Sequence, residues 1–210
     1  MSWDEIALNH VASLGAPLLR FYDWKSPCAT FGYFQAYREV AILTPLRPLV
    51  RRPTGGGLVA HTNDWTYSLA LPPENDWFKL RAKESYHRLH SWLRDALQNN
   101  NIATRLNPAQ DPSGPGACFI GAEEDDLLDE NGKIAGAAQR RTRAGFLIQG
   151  SIQPPPPGLN VSDWEAQLRN VATDKWGVNW REWHPSETHC RQAKSLAETK
   201  YATQAHQHRR

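Results

Sequence analysis

The stretch of this chain with the strongest chemical signature is Arg51-Arg52-Pro53-Thr54-Gly55-Gly56-Gly57-Leu58-Val59-Ala60-His61. Three consecutive glycines have no side chains to shield their amides. They tolerate positive φ and let a ligand come close to the backbone. The two arginines before them supply permanent positive charge on planar, forked donors. Arginine beside a glycine-rich turn is the composition of an anion site for a phosphate or a carboxylate. No Gly-Lys-Ser/Thr follows, so this is not a Walker-type phosphate loop. A glycine-rich hairpin with solvated arginines is an equally economical reading of the same residues.

Three further side chains have types that could act with this loop. Lys133 follows the tight turn Glu130-Asn131-Gly132 and precedes Gly136, Ala137 and Ala138. It is either a solvated surface lysine or a fixed cation facing a narrow, glycine-lined floor, where it would stabilise charge on an acyl carbonyl or phosphate. Cys118 lies 15 positions before Lys133. A free cysteine is commonly a small buried hydrophobe, but a neighbouring ammonium would favour its thiolate. His61 follows Gly57 closely and is either structural or placed to orient a loop carbonyl. Tyr33 and Gln35 are candidates to line the same pocket. Asp64 reads as a turn residue. The acidic run Glu123, Glu124, Asp125 and Asp126 has no His or Cys partner nearby in sequence, so no metal site is read there; it is a solvated face or a docking patch. Cys28 and Cys190 read as packing or surface residues.

The elements that must position these residues are legible from periodicity. A helix is expected over Asp4–Ala12 and strands over Leu18–Tyr22 and Ala29–Phe34, with Gly32 allowing close approach. A strand over Leu46–Val50 feeds the arginine-glycine loop, and Thr66–Leu71 follows it until Pro72-Pro73 stops the run. Tyr86, Leu89, Trp92, Leu93, Ala96 and Leu97 recur at three and four, which predicts an amphipathic helix over Ala82–Gln98. Ile102–Leu106 reads as a short strand and Asn107–Gly116 as a loop. Asn131-Gly132 predicts a hairpin between Asp126–Asp129 and Lys133–Arg140, with Phe146–Gln153 the next strand. Pro154–Pro157 is a stiff linker. Ser162-Asp163-Trp164-Glu165 reads as a capping box opening a helix at about Asp163, a last helix covers Glu187–Ala202, and His206–Arg210 reads as a frayed tail. Strands dominate the middle and helices lie at intervals, which is an α+β pattern. The expected division is a core over 1–158 and a helical part over 159–210 packing on it.

Composition narrows the classes. With 210 residues and a formal net charge of +2, the chain is long enough for one domain with a sizeable core and too weakly charged for a general nucleic-acid binder. No apolar run spans a bilayer, and Met1-Ser2-Trp3-Asp4-Glu5 lacks the layout of a signal peptide. Three cysteines make neither a disulfide framework nor a paired zinc site, so a reduced, cytoplasmic protein is expected.

Several segments in order resemble the lipoate–protein ligase and octanoyltransferase family. They are Phe21-Tyr22-x-Trp24, Gly32-Tyr33-Phe34-Gln35, Arg51 to Gly57 with His61, Thr66-Tyr67-Ser68, Cys118-Phe119, Lys133-Ile134-Ala135-Gly136-Ala137-Ala138-Gln139-Arg140 and Gln149-Gly150-Ser151-Ile152, with Leu196 to Tyr201 near the end. The resemblance covers most of residues 3 to 203, and the arginine-glycine loop followed by Lys-x-x-Gly-x-Ala-Gln is its specific part. It implies the biotin/lipoate protein ligase catalytic-domain fold, a mixed β-sheet flanked by helices. It implies protein lipoylation, with Lys133 at the acyl carbonyl. Cys118 matches the nucleophile of the cysteine-using octanoyltransferases, which take octanoyl from acyl carrier protein to a lysine of a lipoyl-domain protein, such as glycine cleavage H protein or a dehydrogenase E2 subunit. That reading needs no cofactor. The alternatives are an ATP-dependent ligase, which needs ATP and Mg2+ and makes lipoyl-adenylate with Cys118 a bystander, and a non-catalytic binder of acyl groups or lipoyl domains. The substrate-binding set it implies is Tyr33, Gln35, Arg51, Arg52, Gly55, Gly56, Gly57, Leu58, Val59, Ala60, His61, Gly136, Ala137 and Ala138. No metal, nucleic-acid or membrane site is implied. A monomer is expected, with an accessory subunit as the variant. Against relatives the chain starts late, so a true start upstream is an open expectation.

Overall fold

The computed structural model describes residues 1–108 and 122–209. Helix α1 (Ser2–Leu14) leads into β1 (Leu18–Tyr22), β2 (Cys28–Phe31), α2 (Tyr37–Leu43), β3 (Leu49–Arg51), β4 (Val59–His61) and β5 (Trp65–Leu71). The short α3 (Asp76–Lys79) precedes α4 (Ala82–Gln98), followed by β6 (Arg105–Leu106), β7 (Leu127–Leu128), β8 (Lys133–Thr142) and β9 (Gly145–Ile152). The chain closes with α5 (Val161–Trp176), α6 (Glu187–Leu196), a π-helical turn at Ala197–Tyr201 and α7 (Gln204–Gln207).

The α+β class expected from the sequence is the one observed. The main sheet runs β1-β5-β9-β8-β7-β6 and every pair in it is antiparallel. Mixed pairing is confined to a three-stranded sheet, where β2 runs parallel to β3 and antiparallel to β4. Alternation along each strand divides the main sheet into two faces. Tyr67, Leu69 and Leu71 of β5 and Phe146, Ile148 and Ile152 of β9 share one core with Leu89, Leu93 and Leu97 of α4 and Trp164 and Leu168 of α5. Each fully buried leucine of α4 contributes about 2 kcal/mol of transfer free energy. Trp164 stacks on Trp65 at 5.4 Å and meets Phe21 edge-on at 5.3 Å, which fixes α5 across the sheet.

The opposite face carries α1. Ala7, Leu8 and Val11 pack on Ala70 and Leu147, and α1 ends at Gly15, whose φ of 67° suits glycine in the left-handed region. A row of polar residues crosses this face: Arg20 pairs with Ser68, Ser68 with Gln149, and Gln149 with Ala138. Asp4, fully buried on α1, lies over the row. It accepts from Arg20 Nη1 at 2.9 Å, Ser68 Oγ at 2.7 Å and Gln149 Nε2 at 2.8 Å.

Three local expectations change. α2 was not foreseen; Tyr37, Val40 and Ala41 form its inward stripe, but exposed Ile42 and Leu43 beside it blur the pattern. Helix α5 opens at Val161 because Asn160, not Ser162, caps it, accepting from the Asp163 N–H at 2.9 Å. The tail is not frayed: His206 and Gln207 are buried, for a reason given below.

Burial alone would push the Asp4 carboxyl up, but the Met1 amino group, Arg20 and the Ser68 hydroxyl outweigh it and hold the value below the ordinary 3.8. A carboxylate lowered by folding contributes stability above its unfolded value, and that contribution is lost as the pH falls through the folded value. Asp4→Asn should cost about 2 kcal/mol near neutrality and flatten the acid loss of stability below about pH 4. Urea melts of both proteins at neutral pH and in acid check this; identical acid slopes would contradict it.

Candidate active site

Two close backbone approaches build the arginine-glycine loop. Strand β2 ends at Phe31 and the next residue, Gly32, lies so near the loop that a Cβ there would stand 1.8 Å from the Gly56 carbonyl oxygen. Gly56 itself takes a φ of 79°, in the left-handed region. The Tyr33 N–H donates to the Thr54 carbonyl at 2.8 Å, and the Gly32 N–H donates to Gln35 Oε1 at 2.9 Å. Tyr33 is thereby drawn against the loop, with Gln35 fastened beside it. Leu58 is buried beside Ala29, Phe31 and Val40, while Val59 and Ala60 are half-buried in β4 and pair with β2.

Both arginines point inward. Arg51 is 1% exposed. Its Nε donates to the His206 carbonyl, Nη1 to those of Tyr33 and Gln35, and Nη2 to those of Gln207 and Arg209, at 2.6 to 3.1 Å. Five acceptors match the five N–H donors of a guanidinium, so Arg51 clamps backbone. Arg52 Nη2 donates to the carbonyls of Gly55 and Gly57 at 2.9 and 2.7 Å, and its Nη1 donates to Thr30 Oγ1 at 2.8 Å. Arg52 thus shapes the loop from behind.

His61 continues that chain. Its Nε2 lies 2.8 Å from Thr30 Oγ1 and its Nδ1 2.8 Å from Asp64 Oδ2. Trp24 stacks on it at 4.1 Å, and the Trp24 indole N–H donates to Thr66, whose hydroxyl donates to Asp64. Burial pushes the His61 value down against the pull of Asp64, so the ring is neutral. The carboxylate then selects the Nδ1–H tautomer, and Nε2 accepts from the Thr30 hydroxyl. Asp64, read from the sequence as a turn residue, orients this histidine.

The loop sits on the same sheet face as α1. Thr54 Oγ1 donates to Gln149 Oε1 at 2.7 Å, and Arg140 Nη1 donates to the Pro53 carbonyl at 3.0 Å. Along β8, Gly136, Ala138 and Arg140 share this face. At a strand rise of about 3.3 Å per residue, Gly136 lies roughly 13 Å from Arg140. At the Gly136 end sits Lys133. A Cβ on Gly136 would meet Lys133 Cε at 2.9 Å and Nζ at 3.1 Å. Ala137 offers its N–H to Tyr86 Oη at 2.9 Å, and Ala138 leaves the floor beside Gln149 shallow.

Lys133 Nζ lies 2.6 Å from Asp126 Oδ2, a pair with side chains 7% and 0% exposed. Asp126 also accepts from the Glu123 N–H at 2.7 Å and from the Tyr86 hydroxyl at 3.1 Å. Burial raises the Asp126 carboxyl, opposed by Lys133 and these hydrogen bonds. His90 packs edge-on against Tyr86 at 4.3 Å, and burial together with the charge of Lys133 pushes it down to about 3. It is a neutral core histidine.

The acidic run is therefore not one solvated face. Asp126 and Asp125 are buried, with Asp125 2.8 Å from His87 and Glu124 2.7 Å from Lys83. Asp126 was missed as a functional candidate, although the Asn131-Gly132 hairpin register points to it: Leu128 pairs with Lys133 and Leu127 with Ala135, which leaves Asp126 beside Gly136. Cys118 lies outside the described residues. Cys28 is buried, and burial with the nearby Asp64 pushes its thiol up to about 11, so it is no thiolate at neutral pH. Cys190 is exposed.

A glycine loop braced by arginine thus shares one sheet with a buried lysine–aspartate pair. Residues 1–153 match the lipoyl protein ligase A/B catalytic domain, and the chain belongs to that family. It is similar to octanoyltransferase LipM of Oceanobacillus iheyensis, 32% identical over 169 residues, covering 77% of this chain and 60% of the relative. It is also similar to octanoyltransferase LipM of Carboxydothermus hydrogenoformans, 33% identical over 155 residues, covering 71% and 57%. The chain thus spans about 60% of the length of these curated relatives. In fold it is similar to lipoate-protein ligase A bound with ATP, with a TM-score of 0.75 at 18% identity over 99% of this chain and 94% of that one. The bi-partite lipoate protein ligase of Thermoplasma acidophilum gives 0.69 at 16%, over 98% and 91%.

Two glycines of the site separate steric need from mere flexibility. Gly32→Ala would drive its methyl into the Gly56 carbonyl, whereas a Cβ at Gly55 meets nothing within 4 Å. Gly32→Ala should cost about 2 kcal/mol or more of stability, as overpacking does. Gly55→Ala should stay within about 0.5 kcal/mol. Thermal melts of both variants check this, and equal losses would contradict the loop geometry.

Proposed function

We propose that this chain is an octanoyltransferase of protein lipoylation. It takes an octanoyl group from acyl carrier protein, holds it as a thioester on Cys118, and passes it to the ε-amino group of a lysine in a lipoyl-domain protein. The observation that carries this reading is the Lys133 ammonium, held 2.6 Å from buried Asp126 beside the glycine floor of β8. Curated relatives near 30% identity that bear the octanoyltransferase name support the transferase form.

The chemistry is two acyl transfers. The Cys118 thiolate attacks the carbonyl carbon of the donor thioester, the negative charge develops on the carbonyl oxygen, and the carrier thiol leaves with a proton. The acceptor amine then attacks the Cys118 thioester, an amide forms, and the Cys118 thiol is regenerated. Lys133 stabilises the developing oxyanion in both steps and favours the thiolate. Asp126 holds the lysine in place, and Tyr86 holds Asp126 in place. In this reading Arg51 and Arg52 are braces that set the loop amides, and His61 with Asp64 orients Thr30 against Arg52. The partners are the carrier protein and a lipoyl-domain acceptor such as glycine cleavage H protein or a dehydrogenase E2 subunit, met in the cytoplasm without a cofactor. Among the described residues no helix is long and apolar enough to cross a membrane.

Incubation with octanoyl-acyl carrier protein should leave one octanoyl adduct on the enzyme, seen by intact mass and removed by hydroxylamine. Cys118→Ser should lose the adduct and nearly all transfer, because an unactivated hydroxyl is a far poorer nucleophile. Cys28→Ser and Cys190→Ser should keep it. Lys133→Ala should lower transfer by about 100-fold or more, the scale of losing one oxyanion-stabilising group. Lipoylation by Cys118→Ser that requires ATP and Mg2+ would replace this reading with a ligase.

A further inference from the structure

A second arginine pair lies at the far end of the loop. The Arg140 guanidinium carbon lies 4.6 Å and that of Arg209 4.3 Å from the centre of the Tyr33 ring. The two charges are therefore separated by no more than those two distances laid end to end. Arg140 also holds the Pro53 carbonyl of the arginine-glycine loop. Among the described residues neither guanidinium is in an ion pair. The carboxylate whose value responds to Arg140 is Glu5, and its Oε2 already accepts from Lys200 Nζ at 2.6 Å and from the Tyr201 hydroxyl at 2.7 Å.

Arg209 is exposed, yet it is not a loose terminal residue. Its carbonyl is one of the five acceptors of buried Arg51. The segment before it is fastened as well. Gln207 Oε1 accepts the Arg51 N–H at 2.6 Å, and the His208 ring stacks on Tyr37 at 4.0 Å. The fold thus uses a buried arginine to carry a second cation to the rim of the glycine loop and stack it on Tyr33. Two like charges against one ring repel, and an anion that contacts both relieves that repulsion. Planar guanidinium groups match the oxygens of a phosphate.

We infer that Arg209 and Arg140, gathered on Tyr33, form a seat for a phosphate group of the acyl donor. This rests on the acyl-transfer reading above and adds to it the part of the donor that lies outside the acyl pocket. Two donors carry such a phosphate: the phosphopantetheine arm of a carrier protein and an acyl-adenylate. Arg209 belongs to the segment beyond residues 1–153, so the donor is held by a residue the family match does not include.

The test measures binding and needs no turnover. Calorimetry on the full chain compares octanoyl-4′-phosphopantetheine, octanoyl-pantetheine without the phosphate, and the octyl ester of adenosine 5′-monophosphate. The wild type should prefer the phosphorylated thioester by about tenfold, the worth of one charge-assisted contact. Arg209→Ala should abolish that preference while leaving the phosphate-free thioester within about twofold. It should not undo the Arg51 clamp, which uses only the backbone carbonyl of residue 209; an unchanged melting temperature checks this. Arg209→Lys should restore part of the preference, since charge returns without the planar fork. An Arg209→Ala protein that weakens both thioesters equally, or weakens neither of the two phosphate-bearing ligands, overturns the seat. So does a wild type that binds all three ligands equally, whatever the Cys118 adduct experiment shows. An Arg209→Ala protein that weakens only the adenosine ester upholds the seat and assigns its phosphate to an adenylate, and the transferase reading then fails on its own.

Discussion

The buried guanidinium of Arg51 is the constraint on which the rest of the site depends. A charge removed from water is tolerated only when its donors are matched. Here the match comes from two parts of the chain distant from β3, which carries Arg51: the Tyr33 and Gln35 carbonyls after β2, and the carbonyls of His206, Gln207 and Arg209. Phe31 lies under the same group at 4.7 Å. Hydrogen bonds to a charged group contribute about 1.5 to 3 kcal/mol each, so loss of any one of these parts leaves a desolvated donor behind. That cost couples them. The glycine loop, the Tyr33 turn and the tail hold their places together.

A second polar system ties that unit to the main sheet. Gln149 donates to Asp4 through Nε2 and accepts from Thr54 through Oε1, so one side chain joins α1, β9 and the loop. The row from Arg20 through Ser68 and Gln149 to Ala138 follows from antiparallel register. Its last member is small, which keeps the face open between Arg140 and Lys133. The opposite face is apolar and carries α4 and α5. The sheet therefore separates stability from chemistry: one side packs Trp164 and the leucines of α4, the other arranges fixed charges along β8. At the Lys133 end the same logic recurs, with Asp126 meeting the ammonium and the Tyr86 hydroxyl donating to Asp126.

Much of this was legible in the sequence because it rests on local rules. The three-and-four spacing of Leu89, Trp92, Leu93, Ala96 and Leu97 gave α4 its full extent, and Asn131-Gly132 gave the β7–β8 hairpin. Gly32 was read as a point of close approach, and the approaching group is the Gly56 carbonyl. What stayed hidden depends on contacts distant in sequence. An arginine looks the same in sequence whether it faces a ligand or five carbonyls, so the inward turn of Arg51 could not be read. For the same reason the polar tail read as frayed, since nothing local shows that Gln207 meets residue 51. Asp126 was masked by its acidic neighbours, which share its type but not its burial. The short stripe of α2, Tyr37, Val40 and Ala41, was blurred by Ile42 and Leu43, which are apolar yet face outward.

The coupling through Arg51 is tested most directly by hydrogen–deuterium exchange on Arg51→Lys beside the wild type. A lysine keeps the charge but offers one point of contact in place of a planar fork. The structure predicts that amide protection falls together in three separated segments: residues 32–35, residues 54–57 and residues 203–209. The α4 and β9 amides should stay protected, since they belong to the other core. Loss of protection confined to β3 and its immediate neighbours would contradict the account, and would mean that loop, turn and tail are held independently.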